Sequence, residues 1–295
     1  MKKNILILCM LLSLFSCLAV EEPKGLSIVE EPKRQMGVSV QLYSVRNDMK
    51  KDFEGTLRKI KAMGFDGVEF AGYFAYAEKP EELKKLLDEI GLKAAATHIR
   101  SGNIMPNTIE KTIAFHKKID CKLLIIPVHH LFARNVEQNK NLANIFNVAS
   151  KTLEPHGLYC GYHNHKQEMA RGPEAGKSWW DLFAENTGQR VVLQQDVGWT
   201  WVAGKDPVAF VKKYPGRTLT THFKAKVVGG VKGKPFIGEN GRDWKTLIKA
   251  CYDVGGTQWL SIEQEDYPKG MTPLQCVERS YKNLDRILKE MDLRK

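Results

Sequence analysis

Two histidines two positions apart, His163 and His165, close an apolar stretch at residues 158–165. Side chains two residues apart on a strand point to the same side, so both imidazoles face one way. Three later apolar stretches also end in polar residues, which are Asp196, His222 and Glu263. We predict that His163, Asp196, His222 and Glu263 bind one metal ion, since strand ends that meet at one face can share a ligand. A histidine that only hydrogen-bonds explains one such position, but explains four equivalent ones poorly.

The donor set predicts the kind of ion. Imidazole and carboxylate groups without thiolates suit Mn, Zn, Co or Fe, and the two imidazoles make Mg a poorer candidate. Four donors with room for a substrate indicate a divalent metal ion that acts as a Lewis acid on a carbonyl or hydroxyl pair.

Three further polar residues adjoin the predicted ligands and are candidates for catalysis. His165 and Glu265 are candidate bases, and Glu265 could instead accept a hydrogen bond from a substrate. Lys224 lies two residues past His222 on the same face, where it could hold an oxyanion. The alternatives are a lysine that extends to the rim and a rim carboxylate that pairs with it.

The same alternation predicts which residues of the other strands point inward. The inward set comprises Gln41, Tyr43, Glu69, Ala94, Ala96, His98 and Gln194. We predict that the polar side chains of Gln41, Tyr43, Glu69 and His98 contact the substrate. Glu69 and His98 could alternatively only support the metal ligands.

The elements that position these residues alternate regularly from Gly37 onward. Short apolar stretches predict strands at residues 38–45, 67–71, 93–99, 122–128, 158–165, 191–196, 219–224 and 259–265. Amphipathic patterns predict helices at residues 52–63, 81–90, 108–119, 135–153, 179–186, 207–214, 243–254 and 272–291.

Eight such units predict an α/β fold, a single (β/α)8 TIM barrel over residues 37–295, whose strand ends meet at one mouth. The alternative is an open doubly wound sheet, which is disfavoured because no GxGxxG motif follows the first strand. The glycine-rich connection at residues 227–242 is longer than the others and is predicted to be a lid or a substrate loop.

The first residues indicate a targeting signal. Lys2 and Lys3 precede an apolar run at residues 5–15 that is too short to span a bilayer. The run ends in Leu-Phe-Ser-Cys, which resembles the lipobox of bacterial lipoproteins. This resemblance implies removal of residues 1–16 and lipidation of Cys17.

Residues 17–36 are rich in Glu, Lys and Pro and are predicted to be a tether between a membrane and the barrel. We therefore expect a periplasmic protein that a lipid anchors to a bacterial membrane. Ordinary cleavage near Ala19 is the alternative. Nothing in the sequence indicates the oligomeric state.

The chain carries a formal net charge of +11 over 295 residues. A basic protein can attract nucleic acid, but the lysines here are spread over helices in mixed runs such as residues 81–85. We therefore predict no nucleic-acid partner. Beyond the signal the cysteines are widely spaced without a CxxC pair, and no disulfide is predicted for Cys121, Cys160, Cys251 or Cys276.

Six segments in chain order resemble the sugar phosphate isomerase/epimerase family of the xylose isomerase-like barrel superfamily, with a similarity that covers residues 37–291. They are Gln-Leu-Tyr-Ser at 41–44, Gly-Val-Glu-Phe at 67–70, Tyr-His-Asn-His at 162–165, Asp-Val-Gly-Trp at 196–199, His-Phe-Lys at 222–224 and Ile-Glu-Gln-Glu at 262–265. The resemblance implies metal ligands at His163, Asp196, His222 and Glu263. The superfamily includes epimerases, isomerases, dehydratases and apurinic-site endonucleases, so the resemblance does not specify one reaction.

The chain departs from the family pattern at two positions. Many members have Glu where this chain has His163, and ketose 3-epimerases use that Glu and the strand-eight Glu as paired bases. The resemblance therefore does not carry the two-carboxylate mechanism over to this chain. The Asp that commonly follows the strand-seven lysine is also replaced, here by Ala225.

The resemblance and the predicted site imply a metal-dependent isomerase or epimerase that removes a proton next to a metal-bound carbonyl of a keto-sugar. Export implies a sugar without phosphate. The candidate bases are Glu265, His165 and a metal-bound water. One alternative is a hydratase or lyase that uses the same enolate, and another is a non-catalytic sugar-binding lipoprotein.

Aromatic residues near the predicted mouth could form a wall on which a sugar ring stacks. Trp199, Trp201 and Phe236 are the candidates, and Trp199 is predicted to contact the substrate. The alternative is that these side chains belong to the core, where aromatic residues are more often found.

Overall fold

The structure is a computed structural model that describes residues 35–132, 135–229 and 232–295. Within these residues, eight parallel strands pair in chain order and the first also pairs with the last, which closes a barrel. The strands are β1 (Gly37–Gln41), β2 (Gly67–Phe70), β3 (Lys93–His98), β4 (Leu123–Ile126), β5 (Tyr159–His163), β6 (Val192–Asp196), β7 (Thr220–Phe223) and β8 (Trp259–Ile262). The closed ring confirms the predicted (β/α)8 TIM barrel.

Helices surround the barrel and mostly follow the predicted pattern. They are α1 (Arg46–Lys51), α2 (Phe53–Ala62), α3 (Pro80–Ile90), α4 (Ile109–Lys118), α5 (Val136–Leu153), α6 (Trp179–Asn186), α7 (Val197–Val202), α8 (Pro207–Lys213), α9 (Trp244–Ala250) and α10 (Pro273–Glu290). Asn135, Asp206 and Asp243 each accept a hydrogen bond from a first-turn N–H group, which a helix otherwise leaves unpaired. The short helices α1 and α7 are not predicted by the sequence pattern.

Several strands end earlier than predicted, so polar residues of the mouth follow the strands instead of belonging to them. β1 ends at Gln41, and Leu42–Val45 forms a 3-10 turn. Lys224 follows β7, and Glu263 and Glu265 follow β8. Beyond the last ladder hydrogen bond, strand alternation no longer fixes which way a side chain points.

The interior of the barrel is apolar at the amino-terminal ends of the strands, here called the lower end. Its buried cluster comprises Ala96, Leu123, Ile125 and Val192. The ring of Trp259 packs against this cluster and lies over Gly37 and Gly67, where a Cβ atom would be 2.3 Å and 3.2 Å from the indole, respectively. Two glycines therefore leave the space that a tryptophan fills.

The third strand contains an irregularity that changes the predicted inward set. Val68 pairs with Ala94 and Glu69 pairs with Ala96, so the register with β2 shifts by one residue. Ala96 belongs to the interior cluster, whereas Ala94 packs in the cluster between sheet and helices. The prediction that Ala94 points inward is wrong, because a bulge reverses the alternation.

The described part of the connection at residues 227–242 packs down onto the barrel. Phe236 and Ile237 are fully buried. The carboxylate of Glu239 accepts two hydrogen bonds from Arg279 of α10, at 2.7 and 2.6 Å. None of its described residues lines the main cavity, so the predicted lid is not supported there.

The predicted signal peptide, the lipidation site Cys17 and most of the tether lie outside the described residues. Of the tether, Met36 is described and is buried in the core. In the part of the chain that the structure describes, no helix is both long and apolar enough to cross a membrane. The cysteines described there are buried and free, namely Cys121, Cys160, Cys251 and Cys276.

Candidate metal centre and its cavity

The structure brings the four predicted ligands together at the carboxyl-terminal end of the barrel, here called the upper end. His163 and Asp196 are the last residues of β5 and β6, His222 lies on β7, and Glu263 directly follows β8. One donor atom from each side chain lies within 4.8 Å of the others, and all four residues are buried. The four residues are far apart in sequence, but they meet because the parallel strands of the barrel all end at one face.

Hydrogen bonds aim His163 and Asp196 at the centre. The Nδ1 atom of His163 lies 3.1 Å from Oε1 of Gln194, which leaves Nε2 facing Oδ2 of Asp196 at 3.9 Å. Asp196 uses Oδ1 to accept the backbone N–H of Trp199 at 2.8 Å, so it also caps α7. Asn164 fixes the Asp196 backbone by accepting its N–H at 2.8 Å. One imidazole nitrogen and one carboxylate oxygen thus remain for an ion.

His222 lies between two carboxylates. Its Nε2 atom is 2.8 Å from Oε1 of Glu69, and its Nδ1 atom is 2.8 Å from Oε2 of Glu263. Burial alone would lower the pKa of His222, but Glu69 and Glu263 raise it to about 10. Both ring nitrogens therefore carry protons in the ion-free protein, and a metal ion at Nδ1 would replace one of them.

Glu69 organises the polar network beneath the ligands and is fully buried. Its carboxylate receives hydrogen bonds from Gln41 and Gln194 at 2.9 Å and contacts His98 and His222 at 2.8 Å. Burial would raise the pKa of Glu69, but His222 and then His98 hold it well below the usual range. Glu69 is therefore a buried anion that orients imidazoles.

The predicted substrate contacts of Glu69 and Gln41 are corrected by their burial. Neither residue has exposed surface or lines the cavity, because their side chains point across the interior of the barrel toward each other. His98 and Tyr43 do line the cavity. His98 also supports the site through Gln194, whose Oε1 atom lies 2.8 Å from its Nε2 atom.

The other ligands have protonation states that suit a cation. Burial, with His222 nearby, keeps the pKa of His163 well below its ordinary value, so the imidazole is neutral. Burial raises the pKa of Asp196 to about 6, although Lys224 opposes this effect. Burial would also raise the pKa of Glu263, but Lys224 and His222 hold it well below the ordinary value.

The charges at the upper end fit a divalent cation. Among the described residues of this cluster, two cations, His222 and Lys224, face four carboxylates, which are Glu69, Asp196, Glu263 and Glu265. Glu265 is 28% exposed, so three buried carboxylates face the two buried cations, and burial makes the charge without a partner costly. Oδ2 of Asp196 is buried and lies 2.9 Å from the ammonium group of Lys224. A bound divalent ion would balance the surplus of carboxylates.

Two of the predicted catalytic residues reach the cavity and one does not. His165 and Glu265 line it. The side chain of Lys224 is only 3% exposed and lies against the carboxylates of the centre, so a substrate in the cavity does not reach it directly. The prediction that Lys224 holds an oxyanion is therefore not supported by its position.

The cavity has a volume of about 1000 Å³ and extends from the ligands toward α4. Its far wall comes from the connections after β2 and β3 and from α4, including Tyr73, Arg100, Asn103, Lys111 and Phe115. These residues were not predicted from the sequence, although both connections follow strands at the face where TIM barrels bind ligands. A cavity of this size holds a drug-sized ligand, which is larger than one sugar ring.

The aromatic wall predicted for sugar stacking is not formed. Phe236 is fully buried, and Trp201 packs edge-on against Trp244 with ring centroids 5.1 Å apart. Trp199 lies beside Lys224, whose Nζ atom is 5.0 Å from the indole, and is not part of the cavity wall. Phe236 lies in the core and Trp201 packs against the core, as the alternative prediction stated, whereas Trp199 is half-buried beside Lys224.

Known proteins resemble this chain in sequence and in fold. An inosose dehydratase of Salmonella typhimurium is 25% identical over a 267-residue alignment that covers 77% of this chain and 85% of that protein. A structure from Parabacteroides distasonis, named a sugar phosphate isomerase/epimerase, superposes with a TM-score of 0.70 at 27% identity and covers 84% of this chain and 96% of that one. An L-ribulose 3-epimerase superposes with a TM-score of 0.64 at 13% identity over 88% of this chain and 97% of that one, which shows a shared fold.

The match to a family model spans most of the barrel. The model of the xylose isomerase-like TIM barrel family matches residues 57–291, from α2 to the end of α10. The matched region contains all four predicted ligands and both residues that reach the cavity beside them. The chain therefore belongs to the xylose isomerase-like TIM barrel family.

Proposed function

We propose that this chain is a divalent-metal-dependent enzyme that removes a carbon-bound proton next to a carbonyl of a small keto-sugar or keto-cyclitol. We further propose that it completes the reaction by eliminating or adding water. The observation that carries this proposal is the difference between the surroundings of two neighbouring histidines, His163 and His165. Both histidines line the cavity, but the ring nitrogens of His163 are directed at Gln194 and Asp196, whereas those of His165 have no hydrogen-bond partner among the described residues.

His165 has the properties of a general base. Its backbone N–H donates to Oε2 of Glu168 at 2.8 Å, which fixes the residue on the rim. Among the described residues, neither of its ring nitrogens has a hydrogen-bond partner. Burial lowers the pKa of His165 although Glu168 opposes this effect, so the ring is neutral near pH 7 and can accept a proton.

One imidazole is sufficient for an elimination. His165 would take the proton from the carbon next to the carbonyl and return it to the hydroxyl on the adjoining carbon, which leaves as water. A divalent ion held by His163, Asp196, His222 and Glu263 would polarise the carbonyl and so acidify the neighbouring carbon-bound proton. Glu265 lines the same cavity and is placed to accept a hydrogen bond from a substrate hydroxyl.

A second candidate is isomerisation by proton transfer between neighbouring carbons, which also needs one base. It is supported by the 27% identical structure that is named a sugar phosphate isomerase/epimerase. The elimination is favoured by the inosose dehydratase, since this chain aligns with 85% of its length. Inversion between two facing carboxylates is disfavoured, because His163 occupies the position of one of them.

The test is incubation of the purified protein with Mn²⁺ and a panel of keto-sugars and keto-cyclitols in deuterated water. The proposal expects a product that is lighter than its substrate by one water and that carries deuterium on the carbon that lost its hydroxyl, because the enol formed by elimination takes a deuteron from solvent there. Deuterium incorporation without a change in formula would identify an isomerase instead. Bound metal with no exchange into any compound would count against both reactions and favour a non-catalytic binding protein.

A matched variant separates the base from the ligands. His165→Gln should abolish deuterium exchange while the protein binds Mn²⁺ with unchanged affinity, because His165 is not among the four ligands. Exchange that continues in this variant would shift the role of base to Glu265.

We also propose, from the N-terminal motif alone, that the protein is lipidated at Cys17 and works outside the cytoplasm on substrates without phosphate. Radiolabelled palmitate should enter the wild-type protein and not the Cys17→Ser variant. Activity on a phosphorylated substrate, and none on its unphosphorylated counterpart, would argue against the substrate part of this proposal.

A further inference from the structure

Lys224 is a buried cation inside the candidate metal centre. Its Nζ atom lies 2.9 Å from Oδ2 of Asp196, 2.9 Å from Oε2 of Glu263 and 2.7 Å from Oε2 of Glu265. The side chain is 3% exposed, so this is not a lysine that extends into solvent. An ammonium group with three carboxylate neighbours and almost no water is held by charge and by packing.

The ammonium group uses the oxygen atoms that an ion would need. Oδ1 of Asp196 is already committed to the cap of α7, which leaves Oδ2 as its free donor, and Oδ2 is the atom that Lys224 contacts. On Glu263, Oε2 is the atom that contacts both Lys224 and His222. A metal ion and the ammonium group would therefore compete for two of the same donors.

The surroundings hold the stem of Lys224 in this place. Gly198 of α7 lies so close that a Cβ atom there would be 2.7 Å from the backbone oxygen of Lys224 and 2.9 Å from its Cβ atom. Trp199 covers the other side, with its ring 5.0 Å from Nζ. Glu265 differs from the two ligands because it is 28% exposed and lies on the cavity wall. It offers the ammonium group a partner outside the ligand set.

We propose that Lys224 is an internal counter-cation that stabilises the centre without metal and opposes the entry of metal. When a divalent ion binds, Nζ would leave Asp196 and Glu263 and remain with Glu265 at the cavity wall. Lys224 would thus set the affinity of the centre for metal and keep the protein folded before loading. This inference rests on the metal centre assigned under the proposed function.

The test compares Mn²⁺ binding to the metal-stripped wild-type protein and to Lys224→Met, by titration calorimetry. Methionine keeps much of the volume of the stem and removes the charge. We expect Mn²⁺ to bind the variant more tightly, on the order of tenfold, because a like charge within a few ångströms of the ion is gone. The metal-free variant should also melt at a lower temperature than the metal-free wild type, since three carboxylates lose their cation.

Lys226→Met is the matched control. Lys226 also lies 5.0 Å from the ring of Trp199, but it pairs with Asp266 at 3.0 Å and contacts none of the four ligands. Its replacement should change neither the Mn²⁺ affinity nor the melting temperature of the metal-free protein by a comparable amount. A purely structural role for Lys224 would lower stability without tightening Mn²⁺ binding.

The outcomes separate this inference from the proposed function. If the wild type binds Mn²⁺ and Lys224→Met binds it equally or more weakly, the counter-cation role is wrong and the metal centre stands. If only the variant binds Mn²⁺, the counter-cation role is supported and the metal-dependent reaction of the wild type is not. If neither binds Mn²⁺, the metal centre fails and this inference fails with it.

A second measurement on the wild type avoids the need for a folded variant. Amine labelling followed by mass spectrometry should modify Lys224 slowly without metal and several-fold faster with Mn²⁺, because Nζ then lies at the cavity wall. Lys226 provides an internal reference in the same sample. Equal labelling of Lys224 with and without saturating Mn²⁺ would overturn the proposed displacement.

Discussion

The two ends of the barrel interior are held together by different forces. At the lower end, Trp259 fills the space over Gly37 and Gly67 and packs on a small apolar cluster. At the upper end, charged and polar side chains are also buried, and each depends on its partners because removal of one leaves another charge buried and unpaired. Apolar burial contributes in proportion to area, whereas a buried ion is tolerated only with its partners.

This difference teaches that stability and chemistry can be separated in this molecule. A substitution at the lower end removes packing and leaves the charges of the upper end as they were. A substitution at the upper end changes the balance between carboxylates and cations, and with it the affinity for an ion. Four changes, taken from the largest expected effect to the smallest, would break or sharpen this comparison.

Glu263→Ala should have the largest effect, because it removes a ligand and a partner of both Lys224 and His222. We expect no bound metal by elemental analysis after loading and desalting, and no detectable activity. Circular dichroism should still show a folded barrel. Glu265→Ala is the matched control, since it removes a nearby carboxylate that is not a ligand, and it should retain the metal. Activity in metal-free Glu263→Ala would contradict the metal-dependent reaction.

Glu69→Gln tests the network below the ligands. The amide would keep the shape of the side chain but remove the buried anion. Its N–H group would also face one of the four groups that surround the Glu69 carboxylate. Partners that orient a metal-bound histidine typically contribute about 10- to 100-fold to metal affinity, and we expect a loss of that size for Mn²⁺. The dissociation constant from calorimetry provides the measurement. An unchanged constant would show that His222 is oriented without Glu69.

Trp259→Ala should affect the lower end alone. Loss of a large aromatic side chain and the cavity it leaves should lower the free energy of unfolding by about 3 kcal/mol, measured by urea denaturation. The affinity for Mn²⁺, measured on the folded variant, should remain that of the wild type. A fall in metal affinity equal to that of Glu69→Gln would show that the two ends are coupled.

The smallest effect concerns a histidine that has no carboxylate partner. His116 of α4 is buried, its Nδ1 atom lies 2.6 Å from the carbonyl oxygen of Thr112 and its Nε2 atom lies 2.9 Å from the hydroxyl of Tyr73. Burial lowers the pKa of His116 to about 4, although the contact with Thr112 opposes this shift. His222, equally buried but between carboxylates, has its pKa raised to about 10.

A lowered histidine pKa makes the folded protein less stable in acid. Between the ordinary pKa of about 6.5 and the folded value of about 4, the unfolded chain binds the proton more readily. The contribution of neutral His116 to the free energy of unfolding is therefore lost as pH falls through this window. The loss is about 2 kcal/mol between pH 7 and pH 5. Urea denaturation of wild type and His116→Gln should show a weaker decline with acid in the variant. An equal decline in both would contradict the assignment to His116.

The sequence predicted the barrel and the meeting of the four proposed ligands because both follow from simple periodic rules. Strand alternation and the shared carboxyl-terminal face are enough to bring His163, Asp196, His222 and Glu263 together. Neither rule depends on the details of packing. His165 and Glu265 also reach the cavity, although both follow their strands, where alternation does not fix the direction of a side chain.

The remaining features depend on contacts that one strand alone does not reveal. The bulge that turns Ala94 outward arises from pairing with β2, and no residue type in β3 announces it. The burial of Gln41 and Glu69 depends on how far each side chain lies from the mouth. The burial of Lys224 depends on the close approach of α7 at Gly198. Each of these is a tertiary effect: pairing with β2 reversed the predicted direction of Ala94, and packing set the depth of Gln41, Glu69 and Lys224.

The double role of Asp196 has an optical consequence. One of its oxygens caps α7 while the other faces the ion position, so whatever charge arrives there acts on the first turn of a helix that holds Trp199 and Trp201. Trp199 also lies 5.0 Å from the ammonium group of Lys224. Binding of an ion at the centre should therefore change the indole emission of the protein, which would report occupancy without an added dye.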